Sequence, residues 1–166
     1  KYKEAIESCK QAIRIDPDLA YAHYNLGVAY GELDKYEEAI ESCKQAIRID
    51  PDYALAHNNL GVAYCELGKY KEAIESCKQA IRIDPDYAKA RYNLGVAYGE
   101  LDKYEEAIES CKQAIRIDPD FADAYYNLGL SYLLLNDIDS ALKQYKILKK
   151  LDTEKANILF DFIYSE

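Results

Sequence analysis

Residues 20–53 read AYAHYNLGVAYGELDKYEEAIESCKQAIRIDPDY, and this stretch decides the fold because the chain repeats it. Block 88–121 matches it at 31 of 34 positions, differing only at Tyr21/Lys89, His23/Arg91 and Tyr53/Phe121. Block 54–87 aligns without gaps, and 122–155 follows the pattern loosely. All four prolines, Pro17, Pro51, Pro85 and Pro119, fall 34 residues apart. A fixed period of this length marks a repeat architecture. Residues 1–19 read as the second half of a block, and 156–166 as the opening of a further one.

Each block reads as two helices. Ala22, His23, Leu26, Gly27 and Tyr30 recur at helical spacing and predict a helix over roughly 20–33. Ala39, Ile40, Cys43, Ala46, Ile47 and Ile49 predict a second over roughly 36–49. Asp34, Gly68, Asp102 and Asn136 fall in the intervening turn, and these residue types accept left-handed backbone. Asp50-Pro51-Asp52 ends the second helix, because proline disfavours helix in the residue before it. Gly27, Gly61, Gly95 and Gly129 lie mid-helix, where each costs about 1 kcal/mol against alanine. Close approach of another helix at the missing Cβ is the expected reason.

The residues Asn25-Leu26-Gly27, Tyr30, Tyr36, Ala39, Cys43, Ala46 and Pro51, recurring every 34 positions, resemble the signature of the tetratricopeptide repeat family. The resemblance spans nearly the whole chain. Two departures are His23, His57 and Arg91 where the first helix carries an aromatic, and Cys43 where the second does. The resemblance implies an all-α solenoid of tandem helix-turn-helix repeats, forming a right-handed superhelix with a concave face of first helices. It divides the chain, as one solenoid domain, into a half repeat (1–19), four repeats (20–53, 54–87, 88–121, 122–155) and a capping helix (156–166).

The three regular blocks differ at seven positions. Three of these, Tyr21/Leu55/Lys89, Tyr24/Asn58/Tyr92 and Gly31/Cys65/Gly99, are groove positions in the family. Asn25, Asn59, Asn93 and Asn127 recur once per block. In family members an asparagine here forms a ladder that grips the backbone of an extended peptide, and an amide suits that task because it both donates and accepts. Val28, Val62, Val96 and Leu130 lie one turn further along, and Tyr126 joins the tyrosine set. Tyrosines suit recognition surfaces because they bury area and keep a polar tip. The resemblance therefore implies a peptide groove lined by Tyr21, Tyr24, Asn25, Val28, Asn58, Asn59, Val62, Lys89, Tyr92, Asn93, Val96, Tyr126, Asn127 and Leu130. Glu32, Glu66 and Glu100 line one rim, favouring ligands with some basic residues. The clamp used by chaperone-binding members is matched only at Asn59 and Lys89, which speaks against capture of a chaperone tail.

Acids outnumber bases by 30 to 21, giving a net charge of −9. An acidic surface argues against nucleic acid, whose phosphates need basic contacts. No apolar run approaches the roughly 20 residues that cross a bilayer. Cys9, Cys43, Cys77 and Cys111 recur on second helices, too far apart for disulfides if helices stack roughly 10 Å apart. They read as small core residues and suggest a reducing, cytoplasmic setting. No metal-ligand spacing, catalytic motif or cofactor signature is present. The chain reads as a non-enzymatic scaffold.

At the C-terminal end, Leu133, Leu134, Phe160 and Tyr164 are expected to form an apolar patch. At the other end the chain begins inside a repeat, at Lys1, which suggests that further repeats precede it. The uncovered helix over 2–15 and the C-terminal patch support a second reading, a self-assembling module. A third is the substrate-selecting arm of a larger enzyme.

Overall fold

The computed structural model describes residues 1–164; Ser165 and Glu166, the last two of the expected capping segment, lie outside the described residues. Among the described residues the elements are all helices: α1 (Tyr2–Ile15), α2 (Ala20–Gly31), α3 (Tyr36–Ile49), α4 (Ala54–Glu66), α5 (Tyr70–Ile83), α6 (Ala88–Gly99), α7 (Tyr104–Ile117), α8 (Ala122–Leu134), α9 (Ile138–Leu151) and α10 (Thr153–Tyr164). The chain is an all-α solenoid protein. It divides into two compact units, Lys1–Pro85 and Asp86–Glu166. The first stacks α1 on the hairpins α2–α3 and α4–α5; the second holds the hairpins α6–α7 and α8–α9, closed by α10.

The turn inside each hairpin follows from its residue types. Asp34, Gly68, Asp102 and Asn136 have φ of 56°, 69°, 58° and 58°. In each turn the next residue's N–H reaches back to close the helix. Lys35 donates to the Tyr30 carbonyl at 3.0 Å and Asp34 to Gly31 at 3.0 Å, the two bonds of a Schellman motif. The turn between hairpins is set by Asp-Pro-Asp. Asp50 is extended, and its carboxylate accepts the Asp52 N–H at 3.2 Å, an Asx-turn. His57 then bonds the Pro51 carbonyl through Nε2 at 3.0 Å, and His23 does the same to Pro17. The histidines thus fasten each first helix to the turn before it. In the third block Arg91 stands at the histidine position and bonds Gln113.

Second helices bury the stripe that the spacing indicates: Ala39, Ile40, Cys43 and Ala46 are all buried in α3. Ala39, Ile40 and Cys43 form one cluster with Leu60 and Ala63 of α4, so α3 also packs on the following first helix. The mid-helix glycines lie under the cysteines. A Cβ on Gly27 would stand 2.9 Å from Cys43 Sγ, on Gly61 2.7 Å from Cys77 Sγ, and on Gly95 2.9 Å from Cys111 Sγ. The sulfur fills the space over each glycine, and the missing Cβ makes room for it.

Candidate functional site

The faces expected to bind a ligand belong to α2 and α4 in the first unit and to α6 and α8 in the second. At the start of α2, Tyr21 is 62% exposed, with its ring 6.3 Å from Tyr24. Tyr24 leans on Tyr53, the residue before α4, at 5.1 Å. Tyr92 and Phe121 repeat that pairing at 5.1 Å in the second unit. Burial pushes the Tyr24 and Tyr92 phenols upward, while the neighbouring amides of Asn59 and Asn127 pull the other way. Each of these asparagines therefore reaches back to the first helix of the preceding repeat. Asn25 and Asn93 are half-buried on the same stripe, and Lys89 is exposed.

Two expected groove residues sit differently. Asn58 is only 4% exposed, whereas Tyr24 and Tyr92 at the same repeat position are half-buried. Tyr126 packs with Leu130 and Leu133 against the buried cluster of Leu148, Ala156 and Leu159. The fourth repeat thus turns part of its groove face inward, beneath α10.

Two clefts open between first helices, and they gather residues that the sequence places in the groove and on its rim. The first is walled by Val28, Val62 and Ala63, with Asn59 at one side and Glu32, Glu66 and Tyr36 at the mouth. The second, two repeats later, is walled by Val96, Leu130 and Ser131, with Asn127, Glu100, Tyr104 and Leu134. Both open at a glycine: a Cβ on Gly31 or Gly99 would meet nothing within 4 Å. The alternation Gly31/Cys65/Gly99 was the available signal. Hydrogen bonding to Asp34, then burial and nearby Glu66, push the Tyr36 phenol up to about 12, so it remains neutral at ordinary pH.

At the C-terminal end, Leu159 is fully buried over Gly129. Phe160 stacks on Tyr145 of α9 at 5.3 Å and on Tyr164 at 4.5 Å. That stacking on α9 went unforeseen, because Tyr145 stands where the other repeats carry the buried cysteine. Leu134 is 58% exposed. Lys155 ties α10 down, contacting Asp152 at 2.8 Å and Asp123 of α8 at 3.3 Å. Among the described residues, no group of three His, Cys, Asp or Glu side chains is placed to hold a metal ion. No helix among them is long and apolar enough to cross a membrane.

Tandem helix hairpins with a Schellman turn, a glycine seat and a 34-residue period define a class of interaction scaffold. Family models described as "TPR repeat" match residues 1–34, 62–102 and 100–136, and others described as "Tetratricopeptide repeat" match 20–53, 42–75 and 123–158. The chain belongs to the tetratricopeptide repeat family. It is similar to a crystal structure of MamA, with 31% identity and a TM-score of 0.84 over 94% of this chain and 91% of that one. Two further structures share the fold. One is TTC0263, "a thermophilic TPR protein" of Thermus thermophilus, at 24% identity and TM-score 0.82, covering 99% of this chain and 91% of that chain. The other is YrrB, "a TPR protein with an unusual peptide-binding site", at 23% identity and TM-score 0.79, covering 96% and 84% respectively. No curated protein matches the chain. Such repeats are in general non-enzymatic protein-interaction modules.

Proposed function

We propose that the chain binds an extended peptide, or a partner's helix, along the exposed faces of its first helices. The observation that supports this most directly is the cleft at Gly31, an apolar slot bordered by the Asn59 amide. Side chains of a ligand would enter the slots while amides meet its backbone. Tyr21, Tyr24, Asn25, Val28, Asn59 and Val62 would carry recognition in the first unit. Lys89, Tyr92, Asn93, Val96, Asn127 and Leu130 would do so in the second, with Asn58 and Tyr126 in supporting positions. Five free cysteines suit a reducing, cytoplasmic setting.

The test is selection of random peptides on the immobilised whole chain, followed by titration of Asn25→Ala. Asn25 makes no side-chain hydrogen bond among the described residues. Its loss should weaken a selected peptide severalfold with the melting temperature unchanged. Unchanged affinity would remove the amide ladder from the account.

A second reading is self-association through the C-terminal end. Ile147, Leu151, Ile158 and Phe162 are all at least 36% exposed there, and exposed apolar patches mark contact surfaces. Light scattering over a hundredfold concentration range separates the readings: a rising mass supports assembly, and a constant mass leaves the groove faces for a foreign ligand.

A further inference from the structure

The two clefts share a floor and differ at the mouth. Gly27, Val28, Gly31, Glu32, Tyr36 and Asn59 in the first correspond to Gly95, Val96, Gly99, Glu100, Tyr104 and Asn127 in the second. The glutamate at the far side of the mouth, Glu66, is replaced by Leu134. One cleft therefore carries two carboxylates over apolar walls, and the other carries one carboxylate and an exposed leucine.

The two carboxylates of the first cleft lack a cation of their own. Among the described residues, no lysine or arginine pairs with Glu32 or Glu66. Phenols lie near them instead: Glu32 raises the neighbouring Tyr2 phenol, and Tyr36, whose hydroxyl donates to Asp34 at 2.9 Å, is raised by that bond and further by Glu66. A phenol takes up one acceptor site of a carboxylate and leaves its charge in place. The slot is open besides, since Gly31 places no side chain in it.

We propose that the cleft at Gly31 takes a lysine or arginine side chain of the peptide ligand. This rests on the peptide-binding reading above. The aliphatic stem lies against Val28 and Val62, and the cationic head sits between Glu32 and Glu66. Long basic side chains bury their stems along apolar surface and keep the head polar, which is the chemistry this slot offers. The cleft at Gly99 has Leu130 and Ser131 in place of Val62 and Ala63 and only one of the two carboxylates, so it does not share the preference.

The probe is a displayed library of random twelve-residue peptides, selected on the whole chain and then titrated as synthetic peptides. Selected sequences are expected to share a basic residue. Replacing it by norleucine should weaken binding about tenfold. In Glu66→Gln and Glu66→Leu the lysine and norleucine peptides should bind alike. Gly31→Leu should abolish binding while the circular-dichroism melt stays within a few degrees. A basic residue that norleucine replaces without loss, or a preference that survives both Glu66 substitutions, overturns the proposal and leaves the peptide-binding reading standing. Undiminished binding to Gly31→Leu overturns it as well. A library that yields no binder at all overturns the peptide-binding reading and this proposal with it.

Discussion

The side chain of Leu159 fills, over Gly129, the place that Cys43 fills over Gly27. A Cβ on Gly129 would lie 2.6 Å from Leu159 Cδ2. The fourth repeat carries Tyr145 at the cysteine position, and that ring stacks on Phe160 instead. The seat is therefore filled from the next helix, and α10 is locked onto both α8 and α9. Leu159→Ala should destabilise the second unit by about 2–5 kcal/mol, the range for deleting a fully buried leucine. Urea unfolding followed by circular dichroism checks this, and a loss below about 1 kcal/mol would show that α10 is not part of the core.

The two kinds of glycine in α2 should respond oppositely to alanine. Gly27→Ala brings a methyl to 2.9 Å from Cys43 Sγ and 3.2 Å from the Ala39 carbonyl oxygen. Overpacking of this sort costs about 1–3 kcal/mol, more than the helix-propensity gain. Gly31→Ala meets nothing and should be neutral or stabilising by up to about 1 kcal/mol. Thermal unfolding of the two variants checks the contrast. Cys43→Ala in the Gly27→Ala background should recover part of the loss, because it removes the nearer of the two contacts.

Acid and base should loosen α10 through separate groups. The Asp152 carboxyl is held below its usual range, first by its hydrogen bond to the Lys155 side chain and then by the Lys155 N–H. A lowered folded value gives stability that is present above about pH 4, the unfolded value, and lost as pH falls through the folded one. Lys155 is pushed up to about 12 by Asp152 and Asp123. Its contribution is present below the unfolded value of about 10.4 and lost as pH rises through about 12. Protection factors across residues 153–164, taken relative to the intrinsic exchange rate at each pH, should fall in acid, and Asp152→Asn should move the onset of that fall. An onset that does not move would detach the carboxyl from the stability of α10.

Thiol labelling should split the five cysteines. Burial pushes Cys43, Cys77 and Cys111 up to about 12, so almost no thiolate forms at about pH 8. Cys9 and Cys65 are half-buried. Iodoacetamide on the folded chain should therefore modify Cys9 and Cys65 and spare the other three, as read by peptide mass spectrometry. Modification of Cys77 at a comparable rate would mean that the helix pair around Gly61 opens readily.

Asn59→Ala should cost up to about 1 kcal/mol of stability, because it removes the amide that lies beside the Tyr24 hydroxyl. Tyr24→Phe should cost a similar amount, and the double variant little more, if the two act as one bond. Thermal unfolding of the four proteins measures the coupling. Additive losses would place the two side chains in independent roles.

The amino-acid sequence by itself determined the helix hairpins. Left-handed turn residues at 34, 68, 102 and 136, the proline period and the buried stripe Ala39, Ile40, Cys43 and Ala46 are local signals, each acting within one or two turns of helix. The mid-helix glycines also announced a close contact, since an uncompensated glycine there is unfavourable. Only the tertiary structure decided what fills each seat, a sulfur at Gly27 and Leu159 at Gly129, because the occupant comes from a different helix and at Gly129 from beyond the repeat. It also decided that Asn58 is buried while Tyr24 and Tyr92, at the same repeat position, are only half-buried. The clefts depend on the spacing between neighbouring first helices, set by side chains a whole repeat apart in the chain. A 34-residue period shows which residues are equivalent, and packing decides where equivalence ends, as it does between Cys43 over Gly27 and Leu159 over Gly129.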